Sequence, residues 1–148
     1  MDHLVLKRIA EVLNEDSCNY TVFLQAIEVL LPVPTEKEAI IKMALGDKAT
    51  VGGFEEVQNT SVWPVVENAL FYTGDSGSGP STAIIKSEKL ANLLGLLKCQ
   101  VTELNSLATI TESFWLRDGH PAYPVFWDFA FLFTRKASAT ILIGSSSN

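Results

Sequence analysis

Three residues in the last part of the chain carry side chains that could perform chemistry together. Asp118, His120 and Asp128 lie within eleven residues of one another, and an imidazole beside two carboxylates could bind a divalent cation or transfer a proton. Their spacing matches no established motif, and residues 118–121 have an ordinary turn composition. Asp128 stands between two aromatic residues, so we expect it either to accept hydrogen bonds from backbone amides or to face solvent or a partner.

A glycine-rich segment, residues 74–80 with the sequence GDSGSGP, matches two kinds of catalytic loop in part. Its first four residues resemble the nucleophile segment of chymotrypsin-type serine proteases, a family that places a catalytic histidine and aspartate before the serine. The only histidine upstream here is His3, in a predicted helix. A phosphate loop requires lysine after its second glycine, where this chain has Pro80. We therefore predict a flexible loop without catalytic function.

Composition excludes several classes of protein. A net charge of −6 and a pI of about 4.8 argue against nucleic-acid binding through a basic surface. Two cysteines, Cys18 and Cys99, cannot supply a disulfide scaffold or a structural zinc site, and we expect both to be buried and inert. The sequence shows neither a signal-peptide core nor an apolar run long enough to span a bilayer, so we expect a cytoplasmic protein without membrane contact.

The first half of the chain is predicted to be mostly helical. Apolar residues recur at helical spacing over residues 6–13 and again over residues 20–31, where prolines follow. The sequence TEKE at residues 35–38 is a capping box, which predicts a helix that begins there and ends at Gly46. A further helix is expected over residues 61–72.

The second half changes from helix to strand. Ser87 is predicted to cap a long helix that extends past Leu104. Residues rich in threonine, aromatic and β-branched types then predict three strands, over residues 108–116, 125–134 and 139–143. A brief strand is expected at residues 83–85, and a short strand or an irregular loop after residue 50.

These elements predict one globular domain over residues 1–148, of α+β class, with N-terminal helices packed on a C-terminal antiparallel sheet of about three to five strands. The aromatic residues of the C-terminal strands must be buried, and the amphipathic helices are the available cover.

The negative charge is concentrated in the first half. Residues 1–67 carry eleven acidic side chains against five basic ones, whereas residues 68–148 carry six of each. An acidic face attracts a basic partner over long range and offers it complementary contacts. The alternative is a solvated face that keeps the protein soluble.

In size, acidity and order of elements, the chain resembles the small bacterial immunity proteins that neutralise a cognate toxin. The resemblance lies in the layout and in no signature motif. It implies a non-catalytic protein that binds a basic toxin one to one and blocks its active site or a necessary surface. The candidate partner-binding residues are acidic positions in loops or at predicted helix ends of the first half, namely Glu15, Asp16, Asp47, Glu55 and Glu56.

An immunity protein of this kind requires no cofactor and no metal. Two other functions remain as alternatives to it. A type III-like secretion chaperone or adaptor would bind an unfolded segment of its client, and a stable dimer with an exposed apolar groove would favour it. A small enzyme or ligand-binding module would use Asp118, His120 and Asp128 or a pocket between the helices and the sheet, and a deep polar pocket lined by His120 and Asp128 would favour that function.

Overall fold

A five-stranded antiparallel sheet organises the computed structural model, which describes residues 1–148. The strands lie in the order β1-β5-β4-β3-β2, so the two strands from the first half of the chain form the two edges. The elements follow one another as α1 (His3–Asn14), β1 (Thr21–Leu30), α2 (Lys37–Leu45), β2 (Thr50–Glu56), α3 (Asn59–Leu70), α4 (Thr82–Ile85), α5 (Glu88–Leu107), β3 (Ile110–Asp118), β4 (Trp127–Thr134) and β5 (Ser138–Ser147).

The predicted α+β class is confirmed, and the three predicted C-terminal strands form an antiparallel meander in the middle of the sheet. The strand register defines two ends of the sheet. Its upper end carries Thr21, Thr50, Asp118, Trp127 and Ser147, and its lower end carries Leu30, Glu56, Ile110, Thr134 and Ser138.

The helix predicted over residues 20–31 is wrong, because this segment is the edge strand β1. Both faces of the strand are covered, so apolar residues occupy even positions such as Val22 and Ala26 and odd positions such as Ile27 and Val29. A strand with apolar residues on both faces can contain helical spacing by coincidence. The β-branched side chains and the pairing with β5 favour the extended conformation.

Both faces of the sheet are covered by helices. Helices α1, α3 and α5 pack against one face, where Phe129, Phe131 and Phe133 of β4 belong to the larger core. Helix α2 packs against the opposite face, where Ile41 lies in a second core with Leu132 of β4. Side chains alternate along a strand, so β4 contributes to both cores. We name these faces the α1 face and the α2 face.

The structure confirms two of the predicted helix-end features and contradicts a third. Ser87 caps α5 as predicted, since its hydroxyl oxygen accepts a hydrogen bond from the Leu90 amide at 3.2 Å. Helix α2 ends before Gly46, which adopts a positive φ of 107°. The capping box is wrong, because the Thr35 hydroxyl donates to the Val33 carbonyl and Glu36 occupies the N-cap position.

Two further predictions are corrected by the structure. The strand predicted at residues 83–85 lies in the short helix α4. Both cysteines, predicted to be buried, are exposed. Cys18 exchanges two backbone hydrogen bonds with Gly79, at 2.9 and 2.8 Å, and so fastens the glycine-rich loop to the chain before β1.

Candidate functional site

The five candidate partner-binding carboxylates are all exposed, but they occupy separate places. Glu15 and Asp16 follow α1 at the upper end of the sheet, beside the start of β1. Asp47 follows α2 at the upper end beside β2, whereas Glu55 and Glu56 lie at the lower end of β2. Four strand spacings of about 4.8 Å, or about 19 Å in total, separate the two edges. The five carboxylates therefore do not form one surface.

Most of the negative charge has no partner within the chain. Of the 17 acidic side chains, only Glu67 and Glu112 are not exposed. Two ion pairs are present. One joins Lys37 to Glu112 at 2.7 Å, and the other joins Lys89 to Glu15 at 3.9 Å with both side chains half exposed. An exposed pair of that length contributes little to stability, so the exposed carboxylates are left almost without ion pairs.

The short ion pair lies on the α2 face, at the lower end of the sheet. The Lys37 ammonium group donates to the Glu112 carboxylate and lies 4.6 Å from the centre of the Phe54 ring. The hydrogen bond to Glu112 is the main reason that the pKa of Lys37 is raised above its usual value. Glu56 is the cross-strand neighbour of Glu112 on the same face. Glu112 was missed as a candidate, although its place between Ile110 and Phe114 in an alternating strand marks it as facing the core.

Asp118, His120 and Asp128 line one open depression of about 430 Å³ at the upper end of the sheet, together with Tyr123 and Pro124. The Asp118 carboxylate accepts from the Gly119 amide at 2.9 Å. The His120 Nδ1 atom accepts from the Ala122 amide at 3.1 Å, so the neutral ring carries its proton on Nε2. Partial burial is the main reason that the pKa of His120 is lowered, although the nearby Asp128 carboxylate opposes the shift.

This arrangement offers limited chemistry. Asp128 is exposed and forms no side-chain hydrogen bond, so of the two environments expected for it the exposed one is present. No ion pair joins His120 to either aspartate, and no three His, Cys, Asp or Glu side chains are grouped as a metal site. The hydroxyl of Ser145, which is the cross-strand neighbour of Asp128, is buried without a partner, and its residue is 0% exposed, so a substrate cannot reach it. The three side chains therefore share one open depression, and no ion pair or hydrogen bond joins them to one another.

The β1 edge is a second candidate site, which the mistaken helix prediction concealed. Helix α1 lies along this strand, and the space between them is an open groove of about 470 Å³. Polar side chains of α1, among them His3, Lys7 and Glu11, line one wall, and Val22 and Leu24 of β1 line the other. The groove joins a helix to a sheet edge, a combination that accepts extended segments in protein recognition.

Comparison of the chain with models of protein families, with curated proteins and with solved structures finds no match. None of the helices has both the length and the apolar character that crossing a bilayer requires.

Proposed function

We propose that this chain is a non-catalytic protein-binding protein that neutralises a basic partner, as immunity proteins do with their toxins. The observation that carries the proposal is the exposure of fifteen of the 17 acidic side chains, of which only Glu15 forms an ion pair, at 3.9 Å with Lys89. Like charges left unpaired on a surface oppose the folded state by mutual repulsion. A basic partner relieves that repulsion and is attracted from a distance.

The alternative of a small enzyme has weaker support. Asp118 and His120 accept hydrogen bonds from the backbone of their own turn, which is how such residues stabilise turns. The depression that they line is wide and open to solvent, whereas catalysis of most reactions benefits from a site that excludes water.

The experiment that tests the proposal is capture followed by an inhibition assay. The tagged protein is used to isolate binding proteins from the native host, which are identified by mass spectrometry and purified. We expect a basic protein that binds one to one and loses its own activity when one equivalent of this chain is added. A captured protein that is acidic, or that keeps full activity in the complex, would contradict the proposal.

A further inference from the structure

The two edges of the sheet are protected to very different degrees. At the β2 edge, the pairing with β3 is interrupted by two register shifts between Thr50 and Gly53, and adjacent carboxylates follow at Glu55 and Glu56. Bulges and charges of this kind prevent edge strands from pairing with other chains. The β1 edge is less protected, because β1 pairs with β5 over ten consecutive residues without a shift and carries only one charged residue, Glu28.

The backbone of β1 offers unpaired donors and acceptors along this edge. The Leu31 amide donates to the Ala137 carbonyl of the neighbouring chain segment at 2.8 Å, so odd-numbered residues direct their backbone groups toward β5. The even-numbered residues direct theirs outward, and Leu24, Ala26 and Glu28 have no backbone or side-chain partner there. Their N–H and C=O groups form an open ladder.

One outward group at the upper end is already occupied. The side-chain oxygen of Asn14, the last residue of α1, accepts from the Val22 amide at 2.7 Å. This contact covers the start of the edge and leaves it open from Leu24 onward. A segment that pairs with β1 would therefore enter beyond Asn14 and run along the groove beside α1.

The side chains around the β1 edge indicate which residues a bound segment would carry. Residues 2–30 contain five acidic side chains, at Asp2, Glu11, Glu15, Asp16 and Glu28, and two basic ones, at Lys7 and Arg8. Lys89 of α5 pairs with Glu15, so an excess of two negative charges remains around this segment, which favours basic side chains in a bound strand. Alternate residues of an added strand would point into the groove, where Ala10 and Leu24 supply apolar surface.

We propose that the β1 edge binds an extended, basic segment of the partner as a sixth strand of the sheet. This inference rests on the proposed function and names the surface and the kind of segment that serve it. A second copy of this chain is a poorer occupant, because it would bring its own α1 onto the same face. Adjacent strands are about 4.8 Å apart, whereas packed helices require an interaxial distance of about 8–10 Å.

A synthetic probe tests the inference without the natural partner. The probe is an eight-residue peptide with lysine at every second position and valine or threonine at the positions between. It is added to the whole protein, and hydrogen exchange of the protein's amides is followed by NMR. We expect new protection at the amides of Leu24, Ala26 and Glu28. The same peptide N-methylated on the residues that face β1 should lose this protection, because it cannot donate to the edge. Equal protection by both peptides, or none by the first, would overturn the inference.

A matched pair of variants tests the same edge in the protein itself. Glu28→Pro removes one outward N–H without breaking a bond to β5, so the sheet should remain intact by circular dichroism. Glu28→Gln removes only the charge. We expect Glu28→Pro to weaken peptide binding by about tenfold, a change of about 1.4 kcal/mol, and Glu28→Gln to weaken it much less. Equal binding by the two variants would overturn the inference.

The outcome for the edge can be separated from the outcome for the proposed function. If the captured basic partner is inhibited by Glu28→Pro as strongly as by the original chain, the function stands and the edge is not its site. Self-association through β1, detected as a dimer by analytical ultracentrifugation that Glu28→Pro abolishes, would replace the foreign segment with a second copy and overturn the inference.

Discussion

Lys37 Nζ lies 2.7 Å from Glu112 Oε2, where the first turn of α2 meets β3. The Glu112 side chain is 5% exposed and the Lys37 side chain 46% exposed, so the carboxylate is the partner that has lost its water. A carboxylate without water requires a donor, and Lys37 is its one side-chain donor. The pair therefore holds the first turn of α2 against β3, directly after the segment that connects β1 to α2.

Replacement of Lys37 should consequently destabilise the fold. Lys37→Met leaves the buried carboxylate unpaired, and we expect the free energy of unfolding to fall by about 1–3 kcal/mol in urea titration. Lys48→Met is the control, because Lys48 is exposed and its side chain forms no hydrogen bond; it should change stability by less than about 0.5 kcal/mol. Equal losses from the two variants would show that the Glu112 contact contributes nothing specific.

The same pair predicts a loss of stability in strongly alkaline solution. The pKa of Lys37 is raised in the folded state, so the folded protein holds this proton more tightly than the unfolded chain does. Its contribution is fully present below the usual pKa of lysine and is lost as the pH rises through the higher value. The difference in urea midpoint between the original chain and Lys37→Met should therefore shrink above pH 10.5. A difference that is independent of pH would contradict this.

Tyr20 provides a second alkaline dependence, at the upper end of the sheet. Its hydroxyl accepts from the Trp127 indole N–H at 2.9 Å, and burial raises its pKa to about 12 from 10.0. The unfolded chain loses this proton first, so stability should fall as the pH rises from 10.0 toward 12. Tyr20→Phe should show a smaller fall over that range in thermal unfolding. At neutral pH we expect this variant to be about 1 kcal/mol less stable than the original chain, because it lacks the hydrogen bond to Trp127.

His120 predicts the opposite dependence, on the acid side. Its pKa is lowered from 6.5 in the folded state, so below that pH the unfolded chain binds a proton that the folded chain resists. Stability is complete above pH 6.5 and declines as the pH falls toward the lower folded value. His120→Asn should reduce the decline in urea midpoint on acidification. If the urea midpoint of the variant declines as much on acidification as that of the original chain, groups other than His120 cause the decline.

Local sequence patterns predicted some features of the fold and missed others. The capping of α5 by Ser87 depends on neighbours three residues apart and is confirmed, whereas the capping box at Thr35, which is equally local, is wrong. The edge strand β1 depends on its pairing with Ser138–Ser147 at the far end of the chain, which no local pattern reveals. Its apolar residues fit a helix as well as a strand covered on both faces.

The candidate sites show the same division. Asp118, His120 and Asp128 are near one another in sequence, and the structure brings them to one depression. Glu15 and Glu56 are grouped because both are acidic and lie in loops or at predicted helix ends of the first half, yet Glu15 lies beside the start of β1 and Glu56 lies on β2 at the opposite edge. Charge composition gives the sign of a surface, whereas the position of each charge depends on the order of the strands.

The core at β4 offers a prediction about packing. Phe129 is 6% exposed and stacks on Trp127 with ring centres 5.9 Å apart. Gly144 of β5 lies beside it, where a Cβ atom would come within 2.7 Å of the Phe129 ring. We expect Phe129→Ala to lower the free energy of unfolding by about 3–5 kcal/mol, measured in urea. Gly144→Val should also destabilise, because the ring has to move, whereas Gly95→Ala in exposed surroundings should not.

The proposed function predicts how a basic partner would associate with the exposed carboxylates. Glu55 and Glu56 lie on the edge opposite β1, so replacing both with lysine should slow association by weakening long-range attraction while dissociation stays nearly unchanged. Replacing Glu15 and Asp16 with lysine should slow association and also speed dissociation, because both residues lie beside the start of β1. Stopped-flow kinetics at about 0.05 M and 0.5 M salt separates the two, because salt screens the long-range part.

The control for these kinetics is a reversal with the same change in net charge in the half of the chain whose charges balance. Glu103→Lys combined with Asp128→Lys meets this requirement, since both side chains are exposed and neither lies on an edge strand. At about 0.1 M salt the charges act over about 10 Å, so this variant should slow association less than the replacement of Glu15 and Asp16, which lie beside the start of β1. If all three double variants slowed association equally, the net charge alone would attract the partner and no acidic surface would be its target.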